Sequence, residues 1–345
     1  MASGDLLGVY TRYERSGASS RLRFFMYDEA LREAGFEAKF HSFFDSAYLQ
    51  ALYSGKGKSP IALVRSLVNR LATRLEPLLY IEYELFPGLP AAIELSRIGK
   101  RRYVLNFDDA VWLKYAKIPL LRNKYRQLVR RASGVIVAND HIADYFRNDH
   151  PDILKVPTVI DTGKYPVDLE KFPRFTVAWI GTPVTAAYLY GHAAALRRMA
   201  EATDFELLVI GAPDFPDIPG VAIRREAWSD GNEAELLCRA HVGIMPLPAD
   251  AFARGKSAYK LIQYCGAGLP AIASPVGENI RVILPGETGF FATAPEEWAS
   301  ALLTLRNDSW RLLEMGAAAR RRAEEFSLHR YAPVVADYLR RRLLP

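Results

Sequence analysis

Apolar and polar positions along this chain fall into two alternating patterns. Short apolar runs such as LLGVY (6–10), LLYIEY (78–83), YVLNF (103–107) and GVIVA (134–138) suit strands buried on both faces, and FEAKFHSFF (36–44) alternates as a further strand. Between them lie stretches with helical spacing, including RLRFFMYDEALREAG (21–35), which Ser19 or Ser20 would cap and Gly35 would close. A second, IALVRSLVNRLATRL (61–75), follows the basic turn KGKSP. Strand, helix, strand at this spacing predicts a parallel sheet with helices on both faces.

The pattern lapses over PDILKVPTVIDTGKYPVDLEKFPRF (151–175), which holds four prolines and no helical period. It then restarts with FTVAWIG, a helix from about Thr185, FELLVIG, VAIRR, a helix through Ala240, and VGIMPL. Two similar halves predict an α/β protein of two Rossmann-like domains, their parallel sheets facing across a cleft. The expected division is residues 1–162 for the first domain and 163–326 for the second, with the boundary near Thr162. The last segment, 327–345, contains the amphipathic LHRYAPVVADYLRRRLL with one proline, expected as a helix that packs back on the first domain.

One stretch concentrates the chemistry, Gly255 to Gly277, GKSAYKLIQYCGAGLPAIASPVG. It reads as a helix opened by Lys256 and Ser257, ended by Gly266 and Gly268, then blocked by Pro270 before the buried strand AIAS. On such a helix Lys256 and Lys260, four apart, share one face. A helix N-terminus beside two lysines is a ready anion site, and phosphate is the first anion to consider.

Composition narrows the field without deciding it. At 345 residues the chain suits two domains, and half of it is hydrophobic. A net charge of +6 is compatible with phosphate ligands, anionic lipid or nucleic acid. Only two cysteines occur, Cys238 and Cys265, both in apolar helical settings, which predicts buried free thiols in a reducing compartment. The N-terminal MASGDLLGVYTRYERS lacks a basic region followed by an apolar run, and no run approaches a membrane span, so a cytoplasmic protein is expected. No Gly-x-Gly-x-x-Gly follows the first strand, which argues against a Rossmann oxidoreductase. No reading motif supports a nucleic-acid partner. His41 and His141 have no partners at metal-ligand spacing, so no metal site is expected.

Several segments together resemble glycosyltransferase family 4, a group of retaining enzymes with the two-domain GT-B fold. In the second half these are AWIGTPVTAAYL, VGIMPLPAD, the 255–277 stretch with GluAsn after it, and PGETGFFA. A looser likeness covers ASSRLRFFMYDEALREAGFEAKFHSFFDSAYLQALY, YIEYELFP and LNFDDAVW. The resemblance implies retaining transfer of a sugar from a nucleoside-diphosphate sugar, UDP- or GDP-linked, with no cofactor and no metal. The acceptor would be a glycan or a lipid-linked glycan of bacterial surface polysaccharide biosynthesis. A GT-B protein that binds nucleotide or glycan without catalysis is the alternative.

Two departures from the family pattern stand out. The family commonly carries two glutamates separated by seven residues, and here the positions hold Gly255 and Gln263. Gln263 can still hydrogen-bond ribose hydroxyls through its amide. Where many relatives place an arginine and a lysine after the WIGTP turn, this chain has Val184, Thr185 and Ala186. Arg254, Lys256 and Lys260 are expected to supply the positive charge instead.

The resemblance gives roles to particular residues. Lys260 matches the phosphate lysine, and a cation at a departing diphosphate stabilises the charge developing there. Gly181 and Thr182, between a strand and a helix, would offer backbone N–H groups to phosphate. Glu226, with Trp228 as a packing or stacking surface, is placed for base recognition, and Glu278 and Asn279 follow a strand end; Asn279 is equally suited to capping a helix. On the acceptor side, Asp108 and Asp109 after YVLNF are candidates to orient or deprotonate an acceptor hydroxyl, or to cap a helix at Ala110. Gly17, Ser19 and Ser20 form a turn after the first strand, and Glu82 and Glu84 are weaker candidates of the carboxylate type. Two basic runs, Lys56, Lys58, Arg65, Arg70, Arg74 and Lys114, Lys117, Arg122, Lys124, Arg126, Arg130, Arg131, are solvated helix faces or a contact with an anionic membrane surface, which would make the protein peripheral on the inner face of the cytoplasmic membrane.

Overall fold

A computed structural model describes residues 4–54 and 59–345; Lys56 and Lys58 lie outside the described residues. The chain divides into two compact units. The first holds 1–158, 255–257 and 329–345, and the second holds 159–254 and 258–328.

The first unit is built on six parallel strands: β1 (Asp5–Tyr13), β2 (Phe36–Phe44), β3 (Leu78–Glu82), β4 (Arg102–Phe107), β5 (Gly134–Val137) and β6 (Ile153–Lys155). Their order across the sheet is β2-β1-β3-β4-β5-β6. Its helices are α1 (Ala18–Arg23), α2 (Asp28–Glu33), α3 (Ser46–Tyr53), α4 (Pro60–Ala72), α5 (Ala91–Ile98), α6 (Lys124–Val129) and α7 (Asp140–Phe146). The short β6 lies inside the proline-rich segment, where hydrophobic period gives no signal. The single helix expected over 21–35 is instead α1, a 3₁₀ turn and α2, because Phe24 leaves helical geometry at φ −134°. Neither serine caps it; Gly17 occupies the N-cap with no side-chain bond.

The second unit repeats the plan with β7 (Thr176–Ile180), β8 (Glu206–Ile210), β9 (Ala222–Glu226), β10 (Val242–Met245), β11 (Ala271–Ala273) and β12 (Gly289–Phe291). These strands are also parallel, in the order β12-β11-β10-β7-β8-β9. Its helices are α8 (Pro183–Tyr190), α9 (Ala193–Ala202), α10 (Glu233–Arg239), α11 (Ala251–Arg254), α12 (Tyr259–Gly266), α13 (Asn279–Val282), α14 (Pro295–Asn307) and α15 (Ser309–Ala323). Apolar side chains from both faces of this sheet form two buried clusters, one around Tyr264 and Leu261, the other around Trp179 and Trp298.

The final helix, α16 (Leu328–Leu343), belongs to the first unit from His329 onward. Tyr338 anchors it there, its hydroxyl taking the Val135 N–H at 3.0 Å and donating to Asp152 O at 3.1 Å. Gly134 is required beneath that ring, since a β-carbon would lie 2.5 Å from the tyrosine oxygen. Both cysteines are buried and free. Burial pushes the Cys265 thiol up to about 12, so it stays protonated and unreactive.

Candidate functional site

In each sheet the strand order reverses once, and open parallel sheets bind ligands outside the strand C-termini at that point. In the first unit the reversal falls between β1 and β3, and in the second between β7 and β10. Each location is furnished differently.

At the end of β3 the Glu82 carboxylate is 2 % exposed and accepts three hydrogen bonds: Arg12 N–H at 2.7 Å, Ser20 Oγ at 2.6 Å and Ser19 Oγ at 2.7 Å. The two serines expected to face an acceptor are therefore bound to a carboxylate, and Ser20 also accepts the Tyr13 N–H. Gly17 is likewise enclosed, with room for no β-carbon beside Tyr13. Three donors favour the charged carboxylate, yet burial, helped by the nearby Asp108, outweighs them and raises the Glu82 carboxyl to about 7. Folding thus favours the protonated form of Glu82.

The next residue, Tyr83, takes a left-handed backbone at φ 61°, costly for a residue with a large side chain. That turn delivers its hydroxyl to Asp108 Oδ1, to which it donates a hydrogen bond. Asp108 and Asp109 form a bend beyond β4, and neither caps a helix: the following 3₁₀ turn, Val111–Lys114, starts from Ala110. Glu82, Tyr83 and Asp108 so make one acidic edge. Sequence reading ranked Glu82 with Glu84, but the left-handed step at Tyr83 separates them. Glu84 is buried, its carboxylate bound to Lys124 Nζ at 2.6 Å, Tyr125 OH at 2.8 Å and Tyr115 OH at 3.0 Å. Lys124 also contacts Glu94 at 3.1 Å. Glu84 is a structural group, not an acceptor-side one, and Lys124 is no surface lysine. Arg70 is buried as well, its guanidinium 4.8 Å from the Tyr10 ring centre.

Residues 255–257 pack within this unit. Ser257 Oγ donates to Asp108 O at 2.5 Å, and Asn139 Nδ2 to Gly255 O at 3.0 Å. A β-carbon on Gly255 would lie 2.6 Å from that of Ala110. Any side chain at 255 would therefore have to displace Ala110. His41, expected to be structural, bonds Glu76 at 2.8 Å and stacks on Tyr10, while His141 stacks on Trp112.

In the second unit the reversal point is the end of β7. Lys260, on the first turn of α12, holds its ammonium 5.3 Å from the centre of the Trp179 ring. Gly181 follows two residues after that tryptophan, and a β-carbon there would meet its ring at 2.6 Å. The amides expected to greet a phosphate are used by the fold: Gly181 N–H goes to Ile210 O at 2.9 Å and Thr182 N–H to Thr185 Oγ1 at 3.0 Å. Thr182 caps α8 through a reciprocal box with Thr185, and Pro183 has no N–H to offer. This edge therefore sets the Lys260 ammonium beside the buried Trp179 ring, next to the capped start of α8.

Helix α12 starts later than its sequence suggests. Ala258 sits at φ 52°, a left-handed residue that halts helical continuity, so Lys256 precedes the helix. Lys256 and Lys260 do not share a helical face, and they belong to different units. Arg254 ends α11, where its carbonyl approaches Gly277; a β-carbon on that glycine would lie 2.7 Å from it. Gln263 is 2 % exposed, so its amide is enclosed by the fold.

Asn279 neither caps α13 nor faces outward; it is buried and donates to Ser274 O at 2.9 Å, while Glu278 holds the N-cap position. Glu226 ends β9 with its carboxylate on Arg224 at 2.7 Å. Trp228 packs on the core and gives its indole N–H to Glu233 at 2.5 Å. Among the described residues, no group of three His, Cys, Asp or Glu could hold a metal ion, and no helix is long and apolar enough to cross a membrane.

The second unit's sequence matches the family model described as Glycosyl transferases group 1 over residues 175–308, from the start of β7 to the end of α14. This segment is a group 1 glycosyltransferase domain. It includes Trp179, Gly181, Thr182 and Lys260. Beyond the group 1 domain, the whole chain is similar to several solved structures. Sucrose-phosphate synthase from Thermosynechococcus elongatus shares 15% identity at TM-score 0.69, covering 98% of each chain. A glycosyltransferase from Rickettsia africae shares 12% at TM-score 0.67, covering 99% of each. Anabaena Alr3699/HepE in complex with UDP-glucose shares 12% at TM-score 0.70, covering 96% of this chain and 99% of that one. At such identities the likeness establishes the fold, which is GT-B. No curated protein sequence matches the chain.

Proposed function

We propose that this protein is a retaining glycosyltransferase of family 4 that moves a sugar from a nucleoside-diphosphate sugar to a glycan or lipid-linked acceptor in bacterial surface polysaccharide biosynthesis. One observation carries the reading: the group 1 domain sets Lys260 against Trp179 at the strand end where its sheet order reverses. A cation there balances the charge that builds on a departing diphosphate. Asp108, held by Tyr83, is the group for orienting an acceptor hydroxyl. UDP is the favoured nucleotide, because Alr3699/HepE binds UDP and UDP-glucose on the same fold. The reaction uses no metal and no cofactor.

Nucleotide binding tests this directly. A ligand at about a hundred times its Kd adds about 2.7 kcal/mol to stability. UDP is expected to raise the melting temperature with EDTA as well as with magnesium, and Lys260→Ala to abolish the shift. An undiminished UDP shift in that variant would overturn the assignment of Lys260. A shift that requires magnesium would overturn metal independence.

A second reading draws on Gly255 and Gln263. The first has no space for a carboxylate and the second is a buried amide, so the chain lacks the paired carboxylates expected at the sugar. A GT-B protein that binds nucleotide without transfer would show the UDP shift but no hydrolysis or transfer of any donor sugar.

A further inference from the structure

Helix α4 has two unlike faces. Toward the core, Arg70 donates to His41 O at 2.7 Å and covers Tyr10, fixing the helix to the sheet. Away from the core, Ile61, Val64, Val68 and Leu71 are 82%, 59%, 58% and 40% exposed. Their spacing of three, four and three residues places them in one line along the helix. Such a line is ordinarily buried, and here the fold leaves it outside.

Charge says what covers it. Residues 46–75 contain no acidic side chain, and the exposed charges of α4 and its end are Arg65 and Arg74. Residues 110–139, in the same unit, also contain no acidic side chain and expose Lys114, Lys117, Arg122, Arg130 and Arg131, while Lys124 is buried against Glu84 and Glu94 and Arg130 is paired with Asp149. Within the latter, Ile118 and Leu120 are 43% and 72% exposed, between the exposed Lys114, Lys117 and Arg122. Exposed aliphatic groups flanked by cations are the signature of an element lying in an anionic lipid interface. A second copy of the chain fits poorly, because two such faces would oppose like charges. At about 1.5 Å per residue α4 is about 20 Å long, so it lies along a bilayer and does not span one.

We propose that the first unit docks on an anionic bilayer through the outer stripe of α4, with the Lys114–Arg122 segment as a second contact. The inference gives the membrane contact considered for the basic runs a specific surface, and it stands or falls separately from sugar transfer.

Flotation with lipid vesicles at low salt tests it. The protein should float with vesicles of phosphatidylcholine mixed with phosphatidylglycerol and stay behind with phosphatidylcholine alone. Ile61→Ser with Val64→Ser, and separately Arg65→Glu with Arg74→Glu, should each weaken flotation roughly tenfold or more. These side chains are exposed, so melting temperature and the UDP shift should stay at wild-type values in both variants. Wild-type protein that ignores the mixed vesicles, or stripe variants that float as well as wild type, would overturn the proposal. So would a stripe variant that changes a dimer to a monomer in sedimentation while floating normally, which would make the occupant a second copy.

Discussion

The two sheets share a strand plan but furnish their reversal points with opposite chemistry. The edge at β3 and β4 gathers Glu82, Asp108 and Tyr83, with serine hydroxyls turned inward to serve a carboxylate. The edge at β7 has a glycine, a capped helix and a lysine over an aromatic face. A shared topology therefore fixes where a ligand can lie, and side chains decide whether protons or anions are handled there. The acidic edge is also the more tightly coupled one. Its neighbour Glu84 is locked with Lys124 and Glu94 in a buried charge cluster, whereas the β7 edge relies on backbone bonds.

That contrast predicts unequal responses to substitution. The largest effect belongs to Lys124→Met, which leaves Glu94 buried without the ammonium at 3.1 Å and Glu84 with only Arg12 at 3.6 Å. It should cost about 3–5 kcal/mol by chemical denaturation, the range for breaking a buried ion pair. A loss under about 1 kcal/mol would mean the cluster is not electrostatically coupled.

Glu82→Gln should have an intermediate and pH-dependent effect. Folding raises the carboxyl from its ordinary 4.5 to about 7, so the folded state prefers the protonated form. The stability this contributes is complete below about pH 4.5 and is lost as the pH climbs through about 7. Relative to Glu82→Gln, the wild-type protein should lose up to about 3 kcal/mol between pH 5 and pH 8, since a tenfold change in a proton's affinity is worth about 1.4 kcal/mol. Parallel stability curves would show that Glu82 titrates as an ordinary carboxyl.

The smallest effect is expected at the other edge. Thr182→Ala removes one half of the α8 capping box and should cost about 1 kcal/mol in thermal unfolding. A loss as large as that of Lys124→Met would erase the distinction between the two edges.

Much of the fold was legible because buried parallel strands are short apolar runs. FEAKFHSFF became β2 residue for residue, and YVLNF and GVIVA lie within one residue of β4 and β5. Strands β6 and β12 were not seen, since three residues beside prolines or glycines carry no period. The site was less legible, for backbone reasons. Among the described residues, two non-glycine residues with positive φ, Tyr83 and Ala258, decide which neighbours share a face, and nothing in their side chains announces that conformation. Tyr83 parts Glu82 from Glu84, and Ala258 parts Lys256 from Lys260. Sequence spacing assumed a continuous helix through Ala258. Residues named for a ligand were in several cases taken by the fold: Ser19 and Ser20 by Glu82, and Asn279 by Ser274. A polar side chain near a strand end is visible in a sequence; its prior partner is not.

Gly255 and Ala110 are coupled positions. A β-carbon at 255 would lie 2.6 Å from that of Ala110 and 3.2 Å from its backbone nitrogen, so even an alanine there requires the two segments to move apart. The smallest residue is thus the one that lets residues 255–257 close on the bend after β4, and the tightness of that closure is set by two atoms of a single neighbour.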